Sequence, residues 1–594
     1  MSPAAFDGWL ERFGAALAAG DAQAAAAMFA PDCYWRDLLA FTWNIHTMEG
    51  RGAISAMLRA RLGEVAPAGW ARRGEIEEGE DGSTAWIAFE TAVATGTGRL
   101  TLRDGQAHVL FTAMEDLKGH EEPRGPRRPQ GVAHGADRNR TTWLEARTAE
   151  AAALGRETQP EVLVIGAGQG GLALGARLRQ LGVPTLIVER NARAGDSWRN
   201  RYRSLVLHDP VWYDHMPYLP FPDTWPVFCP KDKMGDWLEA YASIFELDIW
   251  TSTSARSARW DADSRRWTVT LDRGGEAIDV TARQLVFATG AYGPPRPIEL
   301  PGQERFAGTL MHSADYAEGA PFAGKRAVVI GAGSSAHDVA VDLWEAGAVV
   351  TMVQRRPSIV VRSETLMDMG FDIYSEAALA KGITTERADM IAASTPYALF
   401  TEKQKRLYAR IRERDADYYE RLGAAGFDYD FGEDDSGLMM RAMRTASGYY
   451  IDVGASELIA GGKIGVAARE SVTGLTETGV TLSSGRELPA DVVVACIGYQ
   501  SMNEAVAGIV DRETADAVGP CWGLGSGIAG DPGPWLGELR NMWKPTAHEA
   551  LWFHGGNLAL SRFYSRFVAL QLKARAEGIP TPVYAAPDGR RSGV

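Results

Sequence analysis

The sequence predicts an α/β chain built on two dinucleotide-binding units, preceded by a separate α+β unit. Three observations carry this reading. Two glycine-rich segments, "VIGAGQGG" at Val164–Gly171 and "VIGAGSSA" at Val329–Ala336, each follow an apolar strand and open a helix. From Glu161 onward, strand and helix patterns alternate, as a parallel sheet requires. Ahead of them, residues 1–118 place helices first and alternating strands after, the order of an α+β unit.

Within residues 1–118, "FDGWLERFGAALAAGDAQAAAAMFAPD" reads as helix, Gly-Asp break, helix, and "GAISAMLRARL" as a further helix. "STAWIAFETAVATGTGRLTLRDGQAHVLFTAMEDL" then alternates as strands, with turns expected at Gly96–Gly98 and Asp104–Gly105. Residues 119–160 hold a linker rich in Pro, Gly and charge, followed by the helix "TTWLEARTAEAAALG". Residues 161–300 together with 448–594 are assigned to the first nucleotide unit, and 301–362 to the core of the second. Residues 363–447 read as a helical insertion, rich in aromatics and methionine, that lines the substrate cavity.

The first glycine segment carries Gly166 for the tight turn, Gly168 for backbone approach to a pyrophosphate and Gly171 for close helix–strand packing. The helix N-terminus then offers free N–H groups to the phosphates. Glu189 ends the next strand, where a carboxylate accepts both ribose hydroxyls and repels a 2′-phosphate. This Rossmann-like site wants FAD or NAD. The second segment has Gly331, Gly333 and Ala336, and its following strand ends in Gln354, Arg355 and Arg356. Guanidinium groups there match a 2′-phosphate, so the second site reads as NADPH-binding. Together the two sites imply FAD and NADPH as cofactors and electron flow from nicotinamide to flavin.

Composition narrows the partners. The net charge of −14 argues against nucleic acid and against an anionic membrane surface. No apolar run approaches the roughly 18 residues of a spanning helix. The charged first helix is unlike a signal peptide. Cys33, Cys229, Cys496 and Cys521 lie far apart, which fits a reducing cytoplasm and leaves no redox pair for disulfide reduction. No metal-ligand spacing is present.

Between the two sites lies "FAGTLMHSADY", Phe306–Tyr316. Phe306, Gly308, His312 and Tyr316 match the fingerprint of the flavin-containing monooxygenases, and the resemblance covers about residues 161–575. "GDSWRNRYRSLVLHDPVWYDHMPYLPFP" resembles that family's segment against the flavin, with Trp198 as the packing aromatic. "FATG", ending in Thr289 and Gly290, resembles its exit from the FAD domain. The resemblance implies a two-Rossmann flavoprotein that uses O2 and a small-molecule substrate through a C4a-(hydro)peroxyflavin. His208 stands where mammalian-type relatives carry Asn, as in the plant YUCCA branch, and Tyr316 stands where Baeyer–Villiger enzymes usually have Trp. His208, His312 and Tyr316 are therefore the candidates for the catalytic machinery, the last two coupling nicotinamide binding to flavin reactivity without touching substrate. By the same resemblance Asp491 approaches the ribityl chain. Gly555 and Asn557 either approach the flavin or cap a helix.

Residues 1–118 resemble the cone-shaped fold of nuclear transport factor 2 and the SnoaL-like proteins, on the weak signature "GDAQAAAAMFAPDCYWRD". Trp35, Asp37, Trp43 and His46 would line a pocket in such a cone; packing, homodimerisation or a lid is the expected role. The alternatives to a general monooxygenase are a decarboxylating indole-3-pyruvate-like enzyme, a Baeyer–Villiger ketone monooxygenase, an NADPH oxidase and a non-enzymatic flavin-binding partner.

Overall fold

The computed structural model of the chain describes residues 1–290, 292–528, 530–531 and 535–585. The end of the expected first nucleotide unit, 586–594, lies outside the described residues. The first helix, Pro3–Ala18, starts where Ser2 accepts a hydrogen bond from the Ala5 amide and Pro3 fills the first turn. Its Phe6, Trp9, Leu10, Phe13 and Leu17 recur at helical spacing and are buried. They pack on a six-stranded sheet ordered Ile45–Glu49, Phe29–Leu38, Gln106–Leu117, Ala94–Arg103, Gly82–Glu90, Ala68–Gly79. Phe29–Leu38 pairs parallel with Gln106–Leu117, and the other neighbours are antiparallel.

The turn expected at Gly96–Gly98 is a strand. Both glycines lie inside Ala94–Arg103, and a Cβ on Gly96 would sit 2.3 Å from the Phe89 ring. These glycines make room for a neighbouring aromatic instead of reversing the chain. Asp104–Gly105 is the turn, both at positive φ. The sheet's inner face is filled by rings: Trp9 on Phe13 at 4.8 Å, Phe29 on Trp35 at 5.9 Å and Trp70 on Phe89 at 4.8 Å. Trp35 and Asp37 are fully buried in this core.

After an exposed linker, Thr142 and Glu145 form a capping box that starts the helix Trp143–Ala153. The first nucleotide sheet is parallel, ordered Leu551–Phe553, Gln284–Phe287, Val162–Ile165, Thr185–Val188, Ile249–Trp250. Val162–Ile165 and Gln284–Phe287 are buried throughout, as strands covered on both faces must be. The second sheet is also parallel: Thr309–His312, Val492–Ala495, Arg326–Ile330, Val349–Gln354, Gly465–Ala468. Two of its strands come from residues expected in the first unit. The chain therefore returns to the first unit only after Gly498, because the strand Val492–Ala495 completes the second sheet's centre.

Helices at Ser363–Met369, Glu376–Ala380, Thr385–Ala393, Tyr397–Arg414, Ala416–Ala424 and Gly437–Thr445 fill the insertion. The C-terminal helix Leu558–Ala576 packs along Gln169–Gln180, the first nucleotide helix. No helix among the described residues is long and apolar enough to cross a membrane.

Candidate active site

The first glycine loop is closed tightly enough to dictate its residues. Gly166 has φ of 110°, and a Cβ there would lie 2.4 Å from the Ala288 carbonyl oxygen. A Cβ on Gly171 would lie 1.9 Å from the Gly166 oxygen. Gly168 caps the helix Gln169–Gln180, so the free N–H groups of its first turn face the carboxyl end of the sheet. Glu189 is buried at the end of the next strand; its carboxylate accepts from the Ala167 amide at 2.8 Å and the Asn191 amide at 2.9 Å.

Three further segments converge on this loop. Ala288, Thr289 and Gly290 pass over Gly166, with Gly290 at φ of 121°. Gly555 lies against Gly290: a Cβ on Gly555 would be 2.9 Å from the Gly290 oxygen. Trp198 Nε1 donates to Gln169 Oε1 at 3.1 Å, and Gln169 Nε2 donates to the Gly556 oxygen at 3.0 Å. Backbone held this close, a helix N-terminus and a buried carboxylate at the second strand's end are the features an FAD adenosine diphosphate half needs. These residues fit FAD.

The second loop repeats the geometry. Gly331 has φ of 127° and Gly333 caps the helix Ser334–Glu345. Ala336 replaces the third glycine and is buried in that helix's first turn. At the end of Val349–Gln354, Gln354 is committed to the insertion, bonding the Asp428 oxygen at 2.6 Å and the Asp428 amide at 2.8 Å. Arg355 and Arg356 are exposed, and neither side chain has an ion-pair or hydrogen-bond partner among the described residues. Two free guanidinium groups beside a dinucleotide loop fit the 2′-phosphate of NADPH.

His208 and Asp209 lie between the two units. His208 Nε2 faces Asp338 Oδ1 on the second nucleotide helix at 3.7 Å, and its ring meets Tyr450 edge-on. Tyr202 donates its hydroxyl to the same Asp338. Asp209 Oδ2 instead accepts from Asn557 Nδ2 at 3.4 Å, and Asn557 also donates to the Tyr213 hydroxyl at 3.3 Å. Asn557 caps the C-terminal helix as well, accepting from the Leu560 amide. Burial pushes the Asp209 carboxyl upward, opposed by His208 and Asn557.

His312 is fully engaged. Its Nδ1 accepts from the Ala314 amide at 3.0 Å, so the proton sits on Nε2, which donates to the Gly498 oxygen at 3.1 Å. The ring stands edge-on to Tyr499 at 5.6 Å. Tyr316 is buried and donates to Asp342 Oδ2 at 2.6 Å, on the second nucleotide helix. Both side chains thus tie the connector to the second unit. Asp491 is displaced from the place expected for it. It precedes the strand Val492–Ala495, at the end opposite the glycine loops, and is held by Arg326 Nη2 at 2.6 Å.

Several residues escaped the sequence reading. Gln169 lies inside the glycine motif, where its type carried no signal. Asp209 was legible only as a neighbour of His208. Arg562 and Asp389 form a buried pair at 2.8 Å across 173 positions, which no local pattern reveals. Arg562 also donates to the Tyr213 and His215 oxygens. Among the described residues no cluster of three or more metal-ligating side chains forms.

Fold and site define an oxidoreductase with paired flavin and nicotinamide sites. The sequence profile of the pyridine nucleotide-disulphide oxidoreductases matches residues 163–437. All four cysteines are free thiols, so that description's disulphide chemistry has no pair here. Indole-3-pyruvate monooxygenase YUCCA1 of Oryza sativa subsp. japonica is 32% identical over 348 residues, covering 58% of this chain and 78% of the relative. Probable indole-3-pyruvate monooxygenase YUCCA9 of Arabidopsis thaliana is 30% identical, covering 57% and 75%. Cyclohexanone monooxygenase bound to ε-caprolactone superposes with a TM-score of 0.50 at 19% identity, over 70% of this chain and 88% of that one. The OTEMO complex with FAD and NADP gives 0.50 at 18%, over 71% and 86%; both likenesses are of fold. The chain belongs to the flavin-containing monooxygenase family. It is an FAD- and NADPH-dependent monooxygenase.

Proposed function

We propose that the chain oxygenates a small organic substrate where its two nucleotide units meet, at the face formed by His208, Asp209, Tyr213 and Asn557. One observation carries this reading. Adjacent residues of one segment reach both units: His208 faces Asp338 beside the nicotinamide-site loop, and Asp209 bonds Asn557 at the N-terminus of the helix behind the FAD loop. FAD, when bound, supplies the transfer of electrons from nicotinamide to dioxygen. The chain's own residues bind, orient and exclude water. Gly166–Gly171, Glu189, Trp198, Thr289, Gly290 and Gly555 hold the flavin dinucleotide, and Gly331, Gly333, Ala336, Arg355 and Arg356 the nicotinamide one. His208 Nε2 faces Asp338 Oδ1 at 3.7 Å, between the two sites, where an imidazole can pass a proton. His312 and Tyr316 act as positioning residues, fixing the connector so that the second loop keeps its distance from the first.

The identity to indole-3-pyruvate monooxygenases and the His at position 208 favour a 2-oxo acid as the substrate class, with decarboxylation as the second half of the reaction. Ketone insertion is the competing outcome. Substrate-stimulated NADPH consumption across an amine, a sulfide, a ketone and a 2-oxo acid, with product masses, decides between them. The 2-oxo acid is expected to stimulate most and to yield a product shorter by one carbon. Stimulation by the ketone alone, with an ester as product, would overturn that choice.

The N-terminal unit reads as a SnoaL-like cone, on its helices-first order and the parallel pairing inside its sheet. Its buried aromatic core favours a packing role over chemistry. We propose units at 1–118, 161–300 with 499–585, and 301–362 with 448–498, with 119–160 as linker and helix and 363–447 as the insertion.

A further inference from the structure

We propose that the N-terminal unit positions the FAD cradle through Arg36, so that flavin retention depends on a residue on a different folding unit. This rests on the FAD reading above and extends it to a part of the chain that neither motif reaches.

The strand Phe29–Leu38 alternates its side chains. Trp35 and Asp37 point into the unit's own core, where Asp37 accepts from Thr42 and Thr112 hydroxyls at 2.7 and 2.6 Å. Arg36 therefore points the other way, out of the unit, yet it is only 2% exposed. Its Nε and Nη2 grip Glu538 at 2.6 and 2.8 Å, a fork-to-fork pair. Nη1 donates to the Ala393 oxygen of the helical insertion. Thr47 of the neighbouring strand donates to the same Glu538 at 2.8 Å. One guanidinium thus ties the N-terminal unit, the insertion and the loop before the last strand.

The same guanidinium continues inward. Arg36 Nη2 donates to the Tyr564 hydroxyl at 3.2 Å. The Tyr564 ring stacks flat on Trp543, with centroids 3.9 Å apart and planes at 4°. Trp543 Nε1 donates to the Gly555 oxygen at 3.0 Å. Gly555 touches Gly290, and the next carbonyl, Gly556, receives Gln169, which holds Trp198. The path from Arg36 to the cradle is an unbroken run of buried contacts. Trp543 sits at φ of 63°, a conformation a tryptophan keeps only when its surroundings impose it. Those surroundings are Tyr564, Gly555 and Gln571, which donates to the Trp543 oxygen at 3.1 Å. Arg566 of the same helix braces the unit a second time, bonding the Glu115 oxygen at 2.7 Å.

Without Arg36, the buried Glu538 loses its fork partner and keeps only the Thr47 hydroxyl and the charge of Lys544, and Tyr564 loses its anchor, so the Trp543–Gly555 contact loosens. The test measures FAD release from the full-chain holoprotein on dilution, by recovery of flavin fluorescence, with visible circular dichroism of the bound flavin. Arg36→Met is expected to weaken FAD binding by about tenfold or more and to change the flavin dichroism. Arg36→Lys recovers charge but not the fork, and is expected to lie between. Trp543→Phe, which leaves the N-terminal unit untouched, is expected to reproduce the effect, and the double variant to add nothing to it. If Arg36→Met does not fold, Tyr564→Phe, which removes only the hydroxyl, takes its place with the same expected direction. The proposal is overturned if these variants lower the melting temperature while FAD affinity and dichroism stay at wild-type values, or if the two effects add fully. A wild-type protein that binds no FAD would instead sink the cofactor reading itself, which separates the two failures.

Discussion

At the scale of single residues, the first nucleotide loop shows how little freedom the chain has where a pyrophosphate must approach. Gly171 has its neighbour's carbonyl oxygen 1.9 Å from where a Cβ would be, and that neighbour is backbone, which has no rotamer to yield. Gly171→Ala is expected to abolish FAD binding, seen as purified protein with no flavin absorbance; a yellow variant would contradict the loop geometry. His554 makes a different kind of residue-level statement. It is fully buried beside this loop, and burial pushes its imidazole down to about 3 against an opposing backbone contact from Ser561. The unfolded chain takes up this proton near 6.5, whereas the folded chain refuses it until far lower pH. The stability it permits is therefore full above about 6.5 and is lost as pH falls toward 3, by about 2 kcal/mol at pH 5. Urea unfolding of wild type and His554→Phe at pH 7 and pH 5 checks this. The variant is expected to gain on wild type by that amount at the lower pH, and parallel profiles would refute it.

At the scale of elements, the two strand–loop–helix units were legible because each carries its instruction locally. The glycines, the buried strand before them and the residue type ending the next strand all lie within about thirty positions. Arg355 and Arg356 emerge at that strand end with no competing partner among the described residues. Arg355→Ala is expected to raise KM for NADPH about tenfold or more while leaving KM for NADH nearly unchanged, since only the former carries the 2′-phosphate. Equal effects on both would refute the assignment. Other elements were misjudged because glycine has more than one meaning. Gly96 and Gly98 look like a turn, yet they sit mid-strand under Phe89 and beside Phe111. The family resemblance implies a ribityl contact for Asp491, yet a parallel strand puts its two ends at opposite edges of the sheet, and Asp491 is at the edge away from the glycine loops.

At the scale of the whole molecule, what holds the units together was invisible in the sequence, because the partners are far apart along the chain. Asp389 of the insertion and Arg562 of the C-terminal helix are both buried, and Arg562 also gathers two carbonyls of the segment that carries Asp209. Asp389→Asn leaves that guanidinium uncompensated, and a loss of about 3–5 kcal/mol in urea unfolding is expected; a loss under about 1 kcal/mol would show the pair to be peripheral. Arg36 and Glu538 make the equivalent junction on the N-terminal side. The strand order of the second sheet likewise needed long-range pairing, which is why residues 448–498 read as part of the wrong unit. The central claim, that these joined units pass electrons from NADPH through FAD to split dioxygen between substrate and water, is tested most directly with labelled oxygen. The FAD-loaded protein is given NADPH, 18O2 and the stimulating substrate, and product and peroxide are counted. The account predicts one 18O atom in each product molecule for each NADPH consumed, with little peroxide. NADPH consumption that ends wholly in peroxide, with unlabelled substrate recovered, would contradict it.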